Sequence, residues 1–184
     1  WKQKFSNDIA EFRKKAYQTD NLMPKRYCLI LTNLCNLACE FCFQIRTKQK
    51  NSLNSDDWIK LIKQLPDNSR ITLTGGEPLV LKNFENVFLE AVKRHECNLI
   101  CNGLLLTENI IDLLLSSKNF KVLSISIDNR KNTIRKNANM NEKKWDENWA
   151  HAERMMLYFQ KRKKELNHPS CVLDSKTVVL DENA

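Results

Sequence analysis

The sequence predicts an α/β fold, a partial and open parallel (β/α) barrel, and three observations predict it. Short β-rich runs alternate with stretches whose apolar residues recur at helical spacing, the pattern of successive β/α units. About five such units fit into the 184 residues, short of a closed eight-stranded barrel of about 250 residues. The chain has only three glycines, Gly75, Gly76 and Gly103, and all fall just beyond predicted strand ends, on the rim where β/α barrels bind ligands.

Phe5, Ile9, Phe12 and Ala16 predict an amphipathic helix over Lys4 to Tyr17, so residues 1–20 form an N-terminal helical segment that Pro24 ends. Residues 21–184 form the partial barrel. Its first strand, Tyr27 to Thr32, feeds a loop with three cysteines. A polar stretch, Thr47 to Asn54, leads to a helix capped by Ser55, stopped by Pro66, and buried through Trp58, Leu61, Ile62 and Leu65. Arg70 to Thr74 is the second strand and reaches Gly75-Gly76-Glu77-Pro78; the helix from about Asn83 turns Phe84, Val87, Phe88, Ala91 and Val92 inward. Cys97 to Cys101 is the third strand, followed by Asn102-Gly103 and a helix capped by Thr107. Lys121 to Ile127 is the fourth, ending at Asp128. A long helix from Trp145 to about Leu166, with Trp149, Ala152, Met156 and Phe159 on one face, precedes a fifth strand, Cys171 to Leu180, expected to be an unpaired edge.

At this length one core is expected. The formal charge of +8 raises a nucleic-acid partner, but the basic residues are spread over Lys2–Lys15, Lys118–Lys144 and Lys161–Lys164 and interleaved with Asn and Glu, which reads as solvated helix faces. Nucleic acid is not the expected partner. No apolar stretch approaches the roughly 20 residues that cross a bilayer, so no membrane is expected. Seven cysteines with three in one loop point to a reducing compartment, the cytoplasm. Trp1 stands where an initiator methionine would, and nothing closes the barrel after Asn183-Ala184; the sequence is expected to be a fragment lacking the C-terminal part of the barrel and any auxiliary domain.

The chemistry sits in Cys35-Asn36-Leu37-Ala38-Cys39-Glu40-Phe41-Cys42. Three thiolates at Cys-x3-Cys-x2-Cys spacing can hold a cubane iron–sulfur cluster at three corners and leave the fourth iron open for a ligand. A structural zinc knot, the competing reading, wants four closed ligands. Its fourth would have to come from Cys28, Cys97, Cys101, Cys171, His95, His151 or His168, and none of these forms a second motif. Cys28, Cys97, Cys101 and Cys171 read as buried structural thiols, and His95 and His168 as surface or capping residues. Gly75-Gly76, the acid Glu77 and the rigid Pro78 make a seat for a charged small cofactor on the open iron; tight βα turns are the plainer reading of the glycine pair.

These residues resemble the radical S-adenosylmethionine (radical SAM) enzymes, in which Cys-x3-Cys-x-aromatic-Cys after the first strand accompanies Gly-Gly-Glu-Pro after the second. The resemblance runs from about Lys25 to the last residue. It implies a [4Fe–4S] cluster on Cys35, Cys39 and Cys42, and S-adenosylmethionine (SAM) chelated to the open iron. It implies reductive cleavage of SAM to a 5′-deoxyadenosyl radical that abstracts hydrogen from a substrate, with electrons from a flavodoxin- or ferredoxin-type donor. It places the methionyl ammonium of SAM against Gly75, Gly76, Glu77 and Pro78, Phe41 near the adenine, Asn102, Ser126 and Asp128 near the ribose and methionine, and Arg135 on the carboxylate. Ordinary strand-end hydrogen bonding competes for Ser126 and Asp128, and Arg135 also reads as an exposed loop arginine. The resemblance extends to the subgroup whose barrel precedes a cysteine-rich SPASM or twitch domain, which implies a peptide or protein substrate. Asn129, where that subgroup commonly has Gly, and the short loop to Arg135 depart from it. A nucleotide or small metabolite is the alternative substrate. The rival classes are a zinc-stabilised nucleic-acid-binding module and a degenerate barrel that keeps its cluster without turnover.

Overall fold

The computed structural model describes residues 24–39, 41–42, 53–127 and 141–178, together with Ala10, Glu11 and Lys14, which are helical. Most of the predicted N-terminal helix, the segment holding Asp128 and Arg135, and the last residues of the predicted fifth strand lie outside the described residues.

Five parallel strands form one sheet in chain order: β1 Arg26–Ile30, β2 Arg70–Thr74, β3 Glu96–Cys101, β4 Phe120–Ser126 and β5 Val172–Lys176. The helices between them are α1 Ser55–Gln64, α2 Phe84–Arg94, α3 Glu108–Leu115 and α4 Glu142–Glu165. Right-handed crossovers between neighbours in a sequentially ordered parallel sheet place every helix on the same face. The α/β class and the open sheet follow the sequence reading: β1 pairs only with β2 and β5 only with β4 among the described residues.

Side-chain alternation divides the strands. Leu29, Ile71, Leu73, Leu99, Leu123 and Ile125 turn to the helices and are buried against Ile62, Phe88, Leu114 and Phe159. Residues at the intervening registers, including Cys28, Thr72 and Asn98, face the opposite, helix-free side. Phe88 joins α2 to β4 through an edge-to-face contact with Phe120 at 5.7 Å and stacks on Phe84 at 6.4 Å.

Several local expectations change. Asn54, and not Ser55, caps α1: its side chain accepts from Asp57 N, and Asp57 accepts from Asn54 N, a reciprocal capping box that starts the helix one residue earlier. Helix α4 starts three residues before Trp145, at Glu142, because Asn141 caps it by accepting from Lys144 N. Cys97, Cys101 and Cys171 are buried thiols, but Cys28 is exposed, because β1 is an edge strand and Cys28 lies on its helix-free side. His95 and His168 are not surface residues: they are 1% and 0% exposed. His95 does hold the C-cap position of α2, and the His168 ring lies 3.0 Å from the Ser117 carbonyl.

Candidate metal and cofactor site

Three loops meet at the carboxyl edge of the sheet. The first leaves β1 under restraint from both sides. Leu31 N–H donates to the Thr74 carbonyl at 2.8 Å, and the Trp58 indole on α1 donates to the Leu31 carbonyl at 3.1 Å. Beyond it, Gly76 N–H donates to Thr32 O at 2.7 Å and Glu77 N–H to Leu34 O at 2.8 Å, so the Gly-Gly-Glu segment continues β2 alongside the start of the cysteine loop. The approach is close enough to require glycine. A Cβ on Gly75 would stand 2.6 Å from Thr32 O, and one on Gly76 would stand 2.8 Å from Asn33 O and collide with Leu34 O. The glycine pair therefore serves contact between two loops.

Glu77 is fully buried and caps the short 3₁₀ turn Pro78–Val80 by accepting from Leu79 N at 3.2 Å. Its other oxygen accepts from Asn102 N at 2.7 Å. Burial pushes its carboxyl up to about 7, against the two backbone hydrogen bonds that favour the ionised form. Asn102, at the end of β3, turns its amide to the first loop: Nδ2 lies 2.6 Å from Asn36 Oδ1 and 3.9 Å from Cys35 Sγ, while Oδ1 accepts from Leu104 N at 3.0 Å. Cys35 Sγ also accepts from Leu37 N at 3.4 Å.

Cys39 and Cys42 continue the same loop, joined by a turn in which Cys42 N–H donates to Cys39 O at 3.1 Å, with Phe41 half-buried between them. Ser126 ends β4 on the same rim, level with Lys176 of β5 on the helix-free side. There Ser124 Oγ donates to Asp174 at 3.0 Å, and Lys176 lies 3.7 Å from the same carboxylate. The structure thus joins Cys35, Gly76, Glu77 and Asn102 through direct hydrogen bonds or their immediate neighbours and places Pro78, Phe41, Cys39, Cys42 and Ser126 on the same rim. The sequence reading missed Asn36 and the Thr32 and Leu34 carbonyls. Asn36 was visible as a polar residue beside a ligand position; the Glu77–Asn102 bond spans 25 residues and leaves no local trace.

The donors suit an iron–sulfur cluster. All seven cysteines lie among the described residues and none is in a disulfide. Among the described residues, no three His, Cys, Asp or Glu side chains are grouped to hold one metal ion. A zinc knot needs its sulfurs converged on a single ion at about 2.3 Å each, whereas each thiolate of a cubane takes its own iron. Cys35, Cys39 and Cys42 offer three half-buried free thiols on one loop, the donor type a cubane takes. No described helix is long and apolar enough to cross a membrane.

Residues 29–161 match the family model of the Radical SAM superfamily. The sporulation killing factor maturation protein SkfB of Bacillus subtilis is 36% identical over 118 residues, covering 62% of this chain and 28% of that protein. A GTP 3′,8-cyclase of Synechocystis is 31% identical over 125 residues, covering 58% and 38%. Among solved structures, Streptococcus suis SuiB bound to precursor peptide SuiA aligns with a TM-score of 0.55 at 20% identity over 72% of this chain and 30% of that one. The enzyme anSMEcpe with bound AdoMet and the Kp18Cys peptide aligns with a TM-score of 0.58 at 18% identity over 84% and 43%. The chain spans about a fifth to two fifths of the length of the curated relatives it matches.

Proposed function

Because the chain belongs to the Radical SAM superfamily, whose members use a [4Fe–4S] cluster and SAM, we propose that it serves a radical SAM enzyme that modifies a peptide or protein. The observation that carries the proposal is the backbone seam between the two motifs: the loop bearing Cys35, Cys39 and Cys42 is hydrogen-bonded through Thr32 O and Leu34 O to Gly76 and Glu77. A cluster on the first loop and a sulfonium cofactor on the second would therefore be neighbours. Bound together, they supply an electron and a cleavable sulfur–carbon bond, the source of a 5′-deoxyadenosyl radical.

In this reading Cys35, Cys39 and Cys42 hold the cluster. The Gly75–Pro78 segment offers SAM its backbone, since the Glu77 carboxylate is already engaged by Asn102 and Leu79. Phe41, Asn102, Ser126, Asp128 and Arg135 complete the proposed cofactor site. The protein is cytoplasmic, draws electrons from a flavodoxin- or ferredoxin-type donor, and has a SPASM-type auxiliary region.

The peptide substrate is supported by the names of SkfB, a maturation protein, and of SuiB with its precursor peptide. The GTP 3′,8-cyclase relatives, near 30% identity, favour a second reading, a nucleotide substrate. Anaerobic reconstitution with iron and sulfide should give a brown protein with about four irons per chain, and reduction with SAM should give 5′-deoxyadenosine. Cys39→Ala should lose most of the iron and all of that product. A colourless, zinc-loaded protein would refute the proposal. Deuterium passing into 5′-deoxyadenosine from labelled GTP would move the substrate to nucleotides; transfer from a labelled peptide encoded beside the gene would keep it as proposed.

A further inference from the structure

Asn102 is only 9% exposed and touches all three loops. Its main-chain N–H donates to Glu77 at 2.7 Å, which ties it to the Gly-Gly-Glu-Pro loop. Its side-chain orientation is settled by chemistry: Leu104 N–H can only donate, so the atom 3.0 Å from it is the amide oxygen. Nδ2 is therefore the atom that faces the cysteine loop, with two hydrogens to give. The bond to Asn36 Oδ1 at 2.6 Å is the short one, and Cys35 Sγ lies 3.9 Å from the same nitrogen and 3.9 Å from Asn36 Oδ1, so the three groups form one cluster.

We infer that Asn102 is a positioning residue for Cys35. It fixes the cysteine loop to the end of β3 and donates to the Cys35 sulfur, and so raises the reduction potential of the cluster that Cys35 holds. The inference rests on the cluster reading above and deepens it, because it gives Asn102 a role on the metal side of the site. A donor aimed at a ligand sulfur stabilises the added negative charge of the reduced cluster, and outer-shell partners of this kind orient ligands and tune potentials.

Asn102→Asp keeps the acceptor for Leu104 N and loses the donor; Asn102→Leu loses both without adding charge. In EPR-monitored redox titrations of the reconstituted protein, both variants should show a lower midpoint. The reduced-to-oxidised ratio at fixed potential should fall about threefold, equivalent to about 30 mV for one electron. If Asn102→Leu fails to fold, Asn102→Ala takes its place as the neutral variant. Loss of iron from a folded variant also supports the inference, as failure to hold Cys35. Unchanged midpoints overturn it, as does a shift in Asn102→Asp alone, which added charge explains, or lost SAM affinity with the midpoint intact. Unsubstituted protein that takes up no iron sinks the cluster reading itself, and is told apart from these outcomes by iron analysis.

Discussion

Glu77 carries an unusual burden for one side chain. Buried carboxylates are costly unless hydrogen-bonded, and this one accepts two main-chain N–H groups, from Leu79 and Asn102, with no cation within its hydrogen-bonding set. Burial dominates and holds its carboxyl near 7, above the ordinary value of 4.5. A carboxyl raised by folding keeps its proton in the folded state after the unfolded chain has lost it, so stability falls as pH rises from about 4.5 to about 7. Glu77→Gln should flatten that part of the profile in urea unfolding followed across pH 4.5 to 8. An unaltered pH slope would show that Glu77 does not set it.

At the level of elements, helix α2 ends in a residue that opposes Glu77. His95 is the C-cap, its N–H donating to Ala91 O at 3.2 Å, and its ring is buried beside the Ile62 carbonyl. Burial, and then the adjacent Arg94 cation, lower its pKa below 6.5. Protons then bind the unfolded chain first, so stability is full above about pH 6.5 and is lost as pH falls through the lowered value. The two slopes partly cancel in the native protein. His95→Leu should expose the Glu77 slope: thermal midpoints between pH 5 and 7 should no longer drop on the acid side, while those at pH 7.5 change little. The elements were legible where local patterns decide them. Arg70–Thr74 and the Thr107 cap stand as the alternation and capping rules place them. His95 was not legible, because a histidine after Lys93-Arg94 reads as a solvated helix end, and only packing of the crossover against the sheet buries it. Asn54 was hidden by the equally good capping residue beside it.

For the whole molecule, one core lies between five strands and the helices on a single face, and Phe88 is central to it, fully buried and in ring contact with both Phe84 and Phe120. Phe88→Ala should destabilise by about 3–5 kcal/mol in urea unfolding, the range for deleting a buried ring whose surroundings cannot collapse. A loss under about 1 kcal/mol would contradict this account of the core. The motifs gave the site its location, since strand ends and glycines are local features. They did not give its wiring: Glu77 to Asn102 and Asn102 to Asn36 join residues from different loops, and such bonds depend on register across the sheet.

Strand order has a further consequence. Since each strand pairs with its neighbours in sequence, the sheet can lengthen by one unit at a time during synthesis. Every residue of the Asn36–Asn102–Glu77–Leu104 junction precedes β4 in the chain and emerges from the ribosome before it. The corner that joins the three loops is thus complete in the first three β/α units, and β4 and β5 extend a sheet in which its hydrogen bonds have all their partners.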